Sequence, residues 1–275
     1  MAKWVPMSQV LPATLLTTVA GAGAPVLLLH SGGMSSRQWR KLEGVLAQTY
    51  QVIAPDFLGS GDNPPWPGDT PFHFDLDVEA VGLLLETHDQ PVHLVGHSYG
   101  GLIALMLARR YGQRVASLAV YDPVAFGILH DPPDAEGLAD LTQAAENPLF
   151  SDDARGGSDG WFELFVDYWN GPGTYRALPA PAREAFVRVG RKVYFEVKTL
   201  TADRTPASAY AGITAKTLVI GGEKSPPAAR RVVARLGKTI PGARIEVVAG
   251  AGHMGPISHA ARVNELVAAH VVAAS

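Results

Sequence analysis

No cysteine occurs among the 275 residues. That removes disulfides, thiolate metal sites, iron–sulfur clusters and cysteine nucleophiles together, and it fits a reducing compartment, so a cytoplasmic location is expected. Charge of one sign is also scarce: 23 basic against 26 acidic residues leave a net charge of −3. No block of lysine or arginine stands out, so neither nucleic acid nor an anionic membrane surface is an expected partner. No run of about 18 apolar residues exists, and none is expected to span a bilayer. The G-x-x-x-x-G-K-[ST] phosphate loop, the H-E-x-x-H zinc motif and a strand-linked G-x-G-x-x-G are all missing, so no metal and no cofactor is implied.

What is present is ordinary globular material, 47% hydrophobic and 18% charged, enough for one α/β domain with an elaboration or for two smaller domains. Met1-Ala2-Lys3 and the apolar stretch that ends in Ala20-Gly21-Ala22-Gly23-Ala24 loosely imitate a secretory signal. Ser8, Gln9, Pro12 and Thr14 break that stretch, and Leu15 to Ala20 reads better as a strand.

Further strands are expected at Pro25 to Leu29, Tyr50 to Pro55, Val92 to Val95, Ala116 to Tyr121, Lys216 to Ile220 and Arg244 to Val248. Helical patterns separate them at Ser36 to Ala47, Leu76 to Thr87, Leu102 to Tyr111, Pro227 to Leu236 and Pro256 to Ala274. Apolar strands without alternation, divided by amphipathic helices, imply a parallel sheet covered on both faces. Right-handed crossovers make it doubly wound. The fold class is α/β. Between Pro123 and Thr214 the rhythm breaks: helical patterns at Ala135 to Glu146, Trp161 to Trp169 and Ala182 to Thr199 are joined by glycine- and proline-rich loops, with no convincing strand. The expected organisation is a core of residues 1–122 and 215–275 with a helical cap over 123–214.

Gly96-His97-Ser98-Tyr99-Gly100-Gly101 follows a strand and opens a helix. A serine at such a turn is strained, with its hydroxyl raised above the strand ends, and glycines two before and two after let strand and helix approach. The bare pattern is common by chance, but between a strand and a helix it points to a nucleophile. Serine needs a base to take its proton. Of nine histidines, His253 stands in Gly250-Ala251-Gly252-His253-Met254, after the last expected strand. Parallel strands deliver their C-terminal loops to one edge, which puts His253 on the side of Ser98. His97 is expected to pack into the core. The base in turn needs a carboxylate, and two compete: Asp122 after the strand ending at Tyr121, and Glu223 after the strand ending at Ile220. His30-Ser31-Gly32-Gly33 follows the strand beside that of the serine, so the N–H groups of Gly32 and Tyr99 can form a two-donor oxyanion hole. His30 itself reads equally well as the holder of a tight turn.

These landmarks, with Pro55-Asp56-Phe57-Leu58-Gly59-Ser60-Gly61, resemble the α/β-hydrolase superfamily in its capped form, over nearly the full chain and in the family's order. The resemblance implies a mostly parallel eight-stranded sheet, a helical cap inserted after the sixth strand and a substrate pocket beneath it. By position it makes Ser98 the nucleophile, His253 the base, and Gly32 with Tyr99 the oxyanion donors. Three departures stand out. The usual His-Gly of the oxyanion loop is His30-Ser31, and Asp62-Asn63 follows Gly61 where the family has a serine. The usual acid position after the seventh strand is Ser225, in Gly222-Glu223-Lys224-Ser225-Pro226. Some members supply the acid after the sixth strand, which favours Asp122 over Glu223.

Trp161, Phe162, Phe165, Tyr168 and Trp169 share one helical face, a pattern that more often glues helices together than lines a pocket. Phe126, Met254 and Trp169 are the candidate pocket residues. The expected function is a serine hydrolase that cleaves a carboxylic ester of a small-molecule acyl substrate. Lactonase, amidase and C–C bond hydrolase use nearly the same parts. Aspartate-nucleophile relatives such as epoxide hydrolases and haloalkane dehalogenases need a carboxylate where Ser98 stands, so those chemistries are excluded. The missing aspartate at position 225 also leaves open a ligand-binding protein on the same scaffold.

Overall fold

The computed structural model describes residues 15–68 and 70–275; the signal-like segment read at the N-terminus lies for the most part outside them. Seven strands form one sheet: β1 Thr17–Ala20, β2 Pro25–Leu29, β3 Gln51–Pro55, β4 Val92–His97, β5 Val115–Tyr121, β6 Lys216–Gly222 and β7 Arg244–Val248. Their order is β1-β3-β2-β4-β5-β6-β7. Strand β1 runs antiparallel to β3, and every other pairing is parallel. All seven strands read from the sequence are present. The eighth that the resemblance implied does not occur among the described residues, so the helical insertion follows the fifth described strand.

The helices are α1 Arg40–Leu46, α2 Asp75–Glu86, α3 Tyr99–Tyr111, α4 Ala135–Ala144, α5 Asp159–Asn170, α6 Thr174–Ala177, α7 Ala180–Arg188, α8 Gly190–Ala202, α9 Pro227–Thr239, α10 Gly255–Ser258 and α11 Ala260–Ala274. Val26, Leu27, Leu28 and Leu29 are all fully buried, because successive side chains of β2 enter opposite cores. Leu27 and Leu29 join Val81 of α2, Leu102 of α3 and Val232 of α9. Val26 and Leu28 join Leu42 of α1 and Val263 of α11. A strand buried on both faces has no polar alternation to show.

Between β5 and β6 the described residues hold helices α4 to α8 and short 3-10 turns, with a separate core of Trp161, Phe162, Tyr175, Val193 and Tyr194. Two helices expected to be continuous are split. The pattern Ala182 to Thr199 breaks at Val189, where Gly190 packs against the backbone of Gly157 so closely that a Cβ would lie 2.0 Å from its carbonyl oxygen. The pattern Pro256 to Ala274 breaks at His259, whose φ of −122° and ψ of 35° are not helical. Asn63 has a clear place: its amide donates to the carbonyls of Asp56 and Phe57 at 2.7 and 3.1 Å and holds that loop against the sheet.

Candidate active site

The parallel order puts the C-terminal ends of β2, β4, β5, β6 and β7 side by side, and the candidate residues follow those ends. Ser98 joins β4 to α3 with φ 54° and ψ −116°, a conformation costly for a side chain other than glycine and held by its surroundings. A Cβ at Gly96 would lie 2.3 Å from the carbonyl oxygen of Gly100, and one at Gly100 would lie 2.3 Å from that of Leu29. Both glycines are therefore required by the bend. The Ser98 N–H donates to the Tyr121 carbonyl, and the Asp122 N–H to that of Ile220, both at 2.9 Å. Asp122 likewise has a positive φ, of 41°. Strained turns at the ends of β4 and β5 thus raise both side chains on the same side.

His253 joins them there. Its Nε2 is 2.9 Å from Ser98 Oγ, and its Nδ1 is 3.3 Å from Asp122 Oδ2. All three residues are buried, with Ser98 at 6%, His253 at 2% and Asp122 at 0% exposure. Burial lowers the His253 pKa to about 3, so the imidazole is neutral near pH 7 and free to accept a proton. Burial raises Asp122 to about 7, against hydrogen bonds from the Ser225 hydroxyl and the Gly222 N–H that favour its ionised form. The other candidate acid lies elsewhere: Glu223 accepts from the Gly250 N–H at 2.7 Å at the exposed surface.

Ser225, the residue that replaces the usual aspartate, donates to Asp122 Oδ2, the oxygen that also faces His253. The position keeps a part in the site as a hydrogen-bond donor. The sequence marked it only as a departure. A second group went unread altogether. Gln38 accepts from the Ser31 N–H at 3.0 Å and lies 3.1 Å from His97 Nδ1, while His97 Nε2 lies 2.8 Å from the His253 carbonyl. With the glutamine amide donating to Nδ1, the proton of His97 is on Nε2 and donates to that carbonyl. Burial lowers the His97 pKa to about 3, which keeps it in this neutral form. His97 packs in the core as expected and ties the loop of His253 to that of Gly32. His30 holds its turn: Nε2 accepts from the Phe57 N–H at 3.1 Å and Nδ1 donates to the Ser31 carbonyl at 2.7 Å.

Two cavities meet at Ser98. The larger, about 540 Å³, is walled by Phe126, Leu138, Leu141, Phe165 and Leu200 and reaches Gly32 and Tyr99. The smaller, about 400 Å³, is walled by Leu178, Phe186, Met254 and Ile257 and is the one that His253 lines. Gly32, Phe165 and Trp169 border both. Of the aromatic stripe, Trp161 and Phe162 lie in the core of the insertion, whereas Phe165, Tyr168 and Trp169 face the larger cavity. Trp169 also stacks on His253 with ring centroids 3.7 Å apart. The N–H groups of Gly32 and Tyr99 have no hydrogen-bond acceptor among the described residues; Tyr99 opens α3, whose first turn leaves its donors free, and Gly32 lies in the loop after β2. No three histidine, aspartate or glutamate side chains among the described residues are placed to hold a metal ion, and no described helix is long and apolar enough to cross a membrane.

Comparison with known proteins gives the frame for this geometry. A family model described as "Alpha/beta hydrolase family" matches residues 26–266. A 2-hydroxymuconate semialdehyde hydrolase of Pseudomonas sp. (strain CF600) is 31% identical over 258 residues, covering 90% of this chain and 87% of its own. Among solved structures, a meta-cleavage product hydrolase from Pseudomonas fluorescens IP01 superposes with a TM-score of 0.71 at 22% identity, covering 94% of both chains. A thermophilic esterase from Thermogutta terrifontis does so with a TM-score of 0.66 at 21% identity, covering 94% of this chain and 93% of that one. At those identities the two structures speak for the fold alone.

Proposed function

Because the chain belongs to the alpha/beta hydrolase family, we propose that it is a serine hydrolase cleaving a carboxylic ester through an acyl-enzyme. The observation that carries the reading is the hydrogen-bonded path from Ser98 Oγ to His253 and on to Asp122, open to a cavity at the serine. Ser98 attacks the ester carbonyl while His253 Nε2 takes its proton. Asp122 holds the imidazole by Nδ1 and stabilises the imidazolium that forms. The N–H groups of Gly32 and Tyr99 hold the oxyanion, each worth about 10²–10³ in rate. The imidazolium then protonates the leaving alcohol, and water activated by the same histidine releases the acid.

The two cavities suit the two halves of an ester. The leaving oxygen must reach His253, which lines the smaller cavity and not the larger. The alcohol therefore occupies the smaller lobe and the acyl chain the larger, apolar one. Residues 123–214 act in this reading as a cap that closes both lobes. A second reading, hydrolysis of a C–C bond beside a carbonyl, is favoured by the 31% identity to the 2-hydroxymuconate semialdehyde hydrolase. The test is turnover of a chain-length series of nitrophenyl esters by the protein and by Ser98→Ala. Turnover lost in the variant supports the ester reading. Inertness of the parent toward every ester, with cleavage of 2-hydroxymuconate semialdehyde, would favour the second.

A further inference from the structure

A buried charged cluster lies beside the site and is used by none of the steps above. Lys192 of α8 is 1% exposed, and its ammonium contacts Asp77 of α2 at 2.8 Å and Glu196 one turn further along α8. Asp77 also accepts from the Tyr99 hydroxyl at 2.7 Å, so the cluster joins the insertion to the residue after Ser98. Three buried ions cost more than apolar side chains of the same size would. Asp77 has partners for both oxygens, Leu58 N–H on one and Lys192 with Tyr99 on the other. Glu196 does not. Its Oε1 meets Lys192, while Oε2 has no hydrogen-bond partner among the described residues. The residue is 2% exposed, and it lines the larger cavity with Gly32, Ser98 and Tyr99. A Cβ at Gly32 would come within 2.8 Å of that oxygen.

A carboxylate oxygen left unpaired beside an oxyanion hole opposes the charge that develops there. Nothing in the packing requires it, since Asp77 already balances Lys192 and ties α8 to α2. The vacancy fits a ligand that brings its own donor. We infer that Glu196 is a specificity-determining residue that accepts a hydrogen bond from a hydroxyl on the acyl group close to the scissile carbonyl, selecting 2- or 3-hydroxyacyl esters over unsubstituted ones. The inference rests on the ester reading for the placement of the acyl chain. The distance follows from chemistry: the carbonyl oxygen is to lie at the Gly32 N–H, and a hydroxyl on the second or third acyl carbon is within one residue's reach of it. The same oxygen disfavours a carboxylate at that place, because the cluster already carries one more negative than positive charge.

The test measures binding apart from turnover. Ser98→Ala is titrated at pH 8 with methyl octanoate, methyl 2-hydroxyoctanoate and methyl 3-hydroxyoctanoate, by intrinsic tryptophan fluorescence or by calorimetry. That pH is above the value of about 7 to which burial raises Glu196, so its carboxylate is ionised. One hydroxy ester is expected to bind about tenfold or more tightly than the plain ester, the range of a hydrogen bond to a charged acceptor. Adding Glu196→Gln is expected to cut that preference below about threefold, with Lys192 and Asp77 still paired. Equal binding of the three esters to Ser98→Ala overturns the inference, whether or not the glutamine variant folds. So does a preference that survives Glu196→Gln. If the parent protein hydrolyses none of these esters while the binding preference holds, the ester reading fails and the role of Glu196 stands.

Discussion

Replacing Ser225 with alanine should move the acid limb of the pH–rate profile without dismantling the site. The hydroxyl donates to Asp122 Oδ2, and the Gly222 N–H reaches Oδ1 at a longer 3.3 Å. Both bonds favour the ionised carboxylate, whereas burial raises its pKa to about 7. Removing the hydroxyl destabilises the charged form, so the pKa rises further. A hydrogen bond to a charged group is worth about 1.5–3 kcal/mol, and one pKa unit corresponds to about 1.4 kcal/mol. The shift is therefore about one to two units upward. Protonated Asp122 can no longer stabilise the imidazolium, so activity falls as pH drops through its pKa. Asp122 and His253 are in hydrogen-bond contact, so the limb belongs to the pair. The assay is kcat/KM for one ester from pH 5.5 to 10, with Glu223→Gln as the control that leaves the limb in place. A Ser225→Ala profile that superimposes on the parent's would refute the reasoning.

Asp122→Asn should lower kcat by a factor on the order of 10³–10⁴, the size expected when the imidazole loses its orienting carboxylate; Glu223→Gln should change it by less than about threefold. The opposite ranking in steady-state kinetics would transfer the acid role to Glu223. Lys192→Met should lower stability by about 3–5 kcal/mol, because Asp77 and Glu196 are left buried without their cation. Urea unfolding of the variant and its parent reads this directly, and equal midpoints would show that the cluster contributes nothing to the folded state.

The parts of this protein that were legible in its sequence are those with short-range causes. The central strands β2 to β6 declare themselves because they are largely apolar and buried on both faces, and Ser98 because glycines flank it at a strand-to-helix turn. His253 follows from its place after the last strand, where the parallel order does the rest. What could not be read depends on contacts distant in the chain. Ser225 meets Asp122 across 103 positions, and nothing local announces a serine that holds a carboxylate of another loop. Gln38 lies in a short helical turn, with no signal that it links His97 to Ser31. Lys192 and Glu196 look like the solvated i,i+4 pair of a surface helix, and only contacts distant in the chain, with Asp77, Phe72 and Tyr99, bury them. The helix breaks at Val189 and His259 have the same origin, since the apolar pattern runs through both while tertiary packing bends the chain.

The claim that Ser98 carries a covalent acyl group is tested most directly by mass spectrometry of the protein quenched in acid during turnover of a nitrophenyl ester. The account predicts an intact mass raised by one acyl group, with the increment confined on digestion to the peptide containing Ser98 and absent from Ser98→Ala. Turnover that continues with an acyl group on another residue, or that persists undiminished in Ser98→Ala, would contradict it.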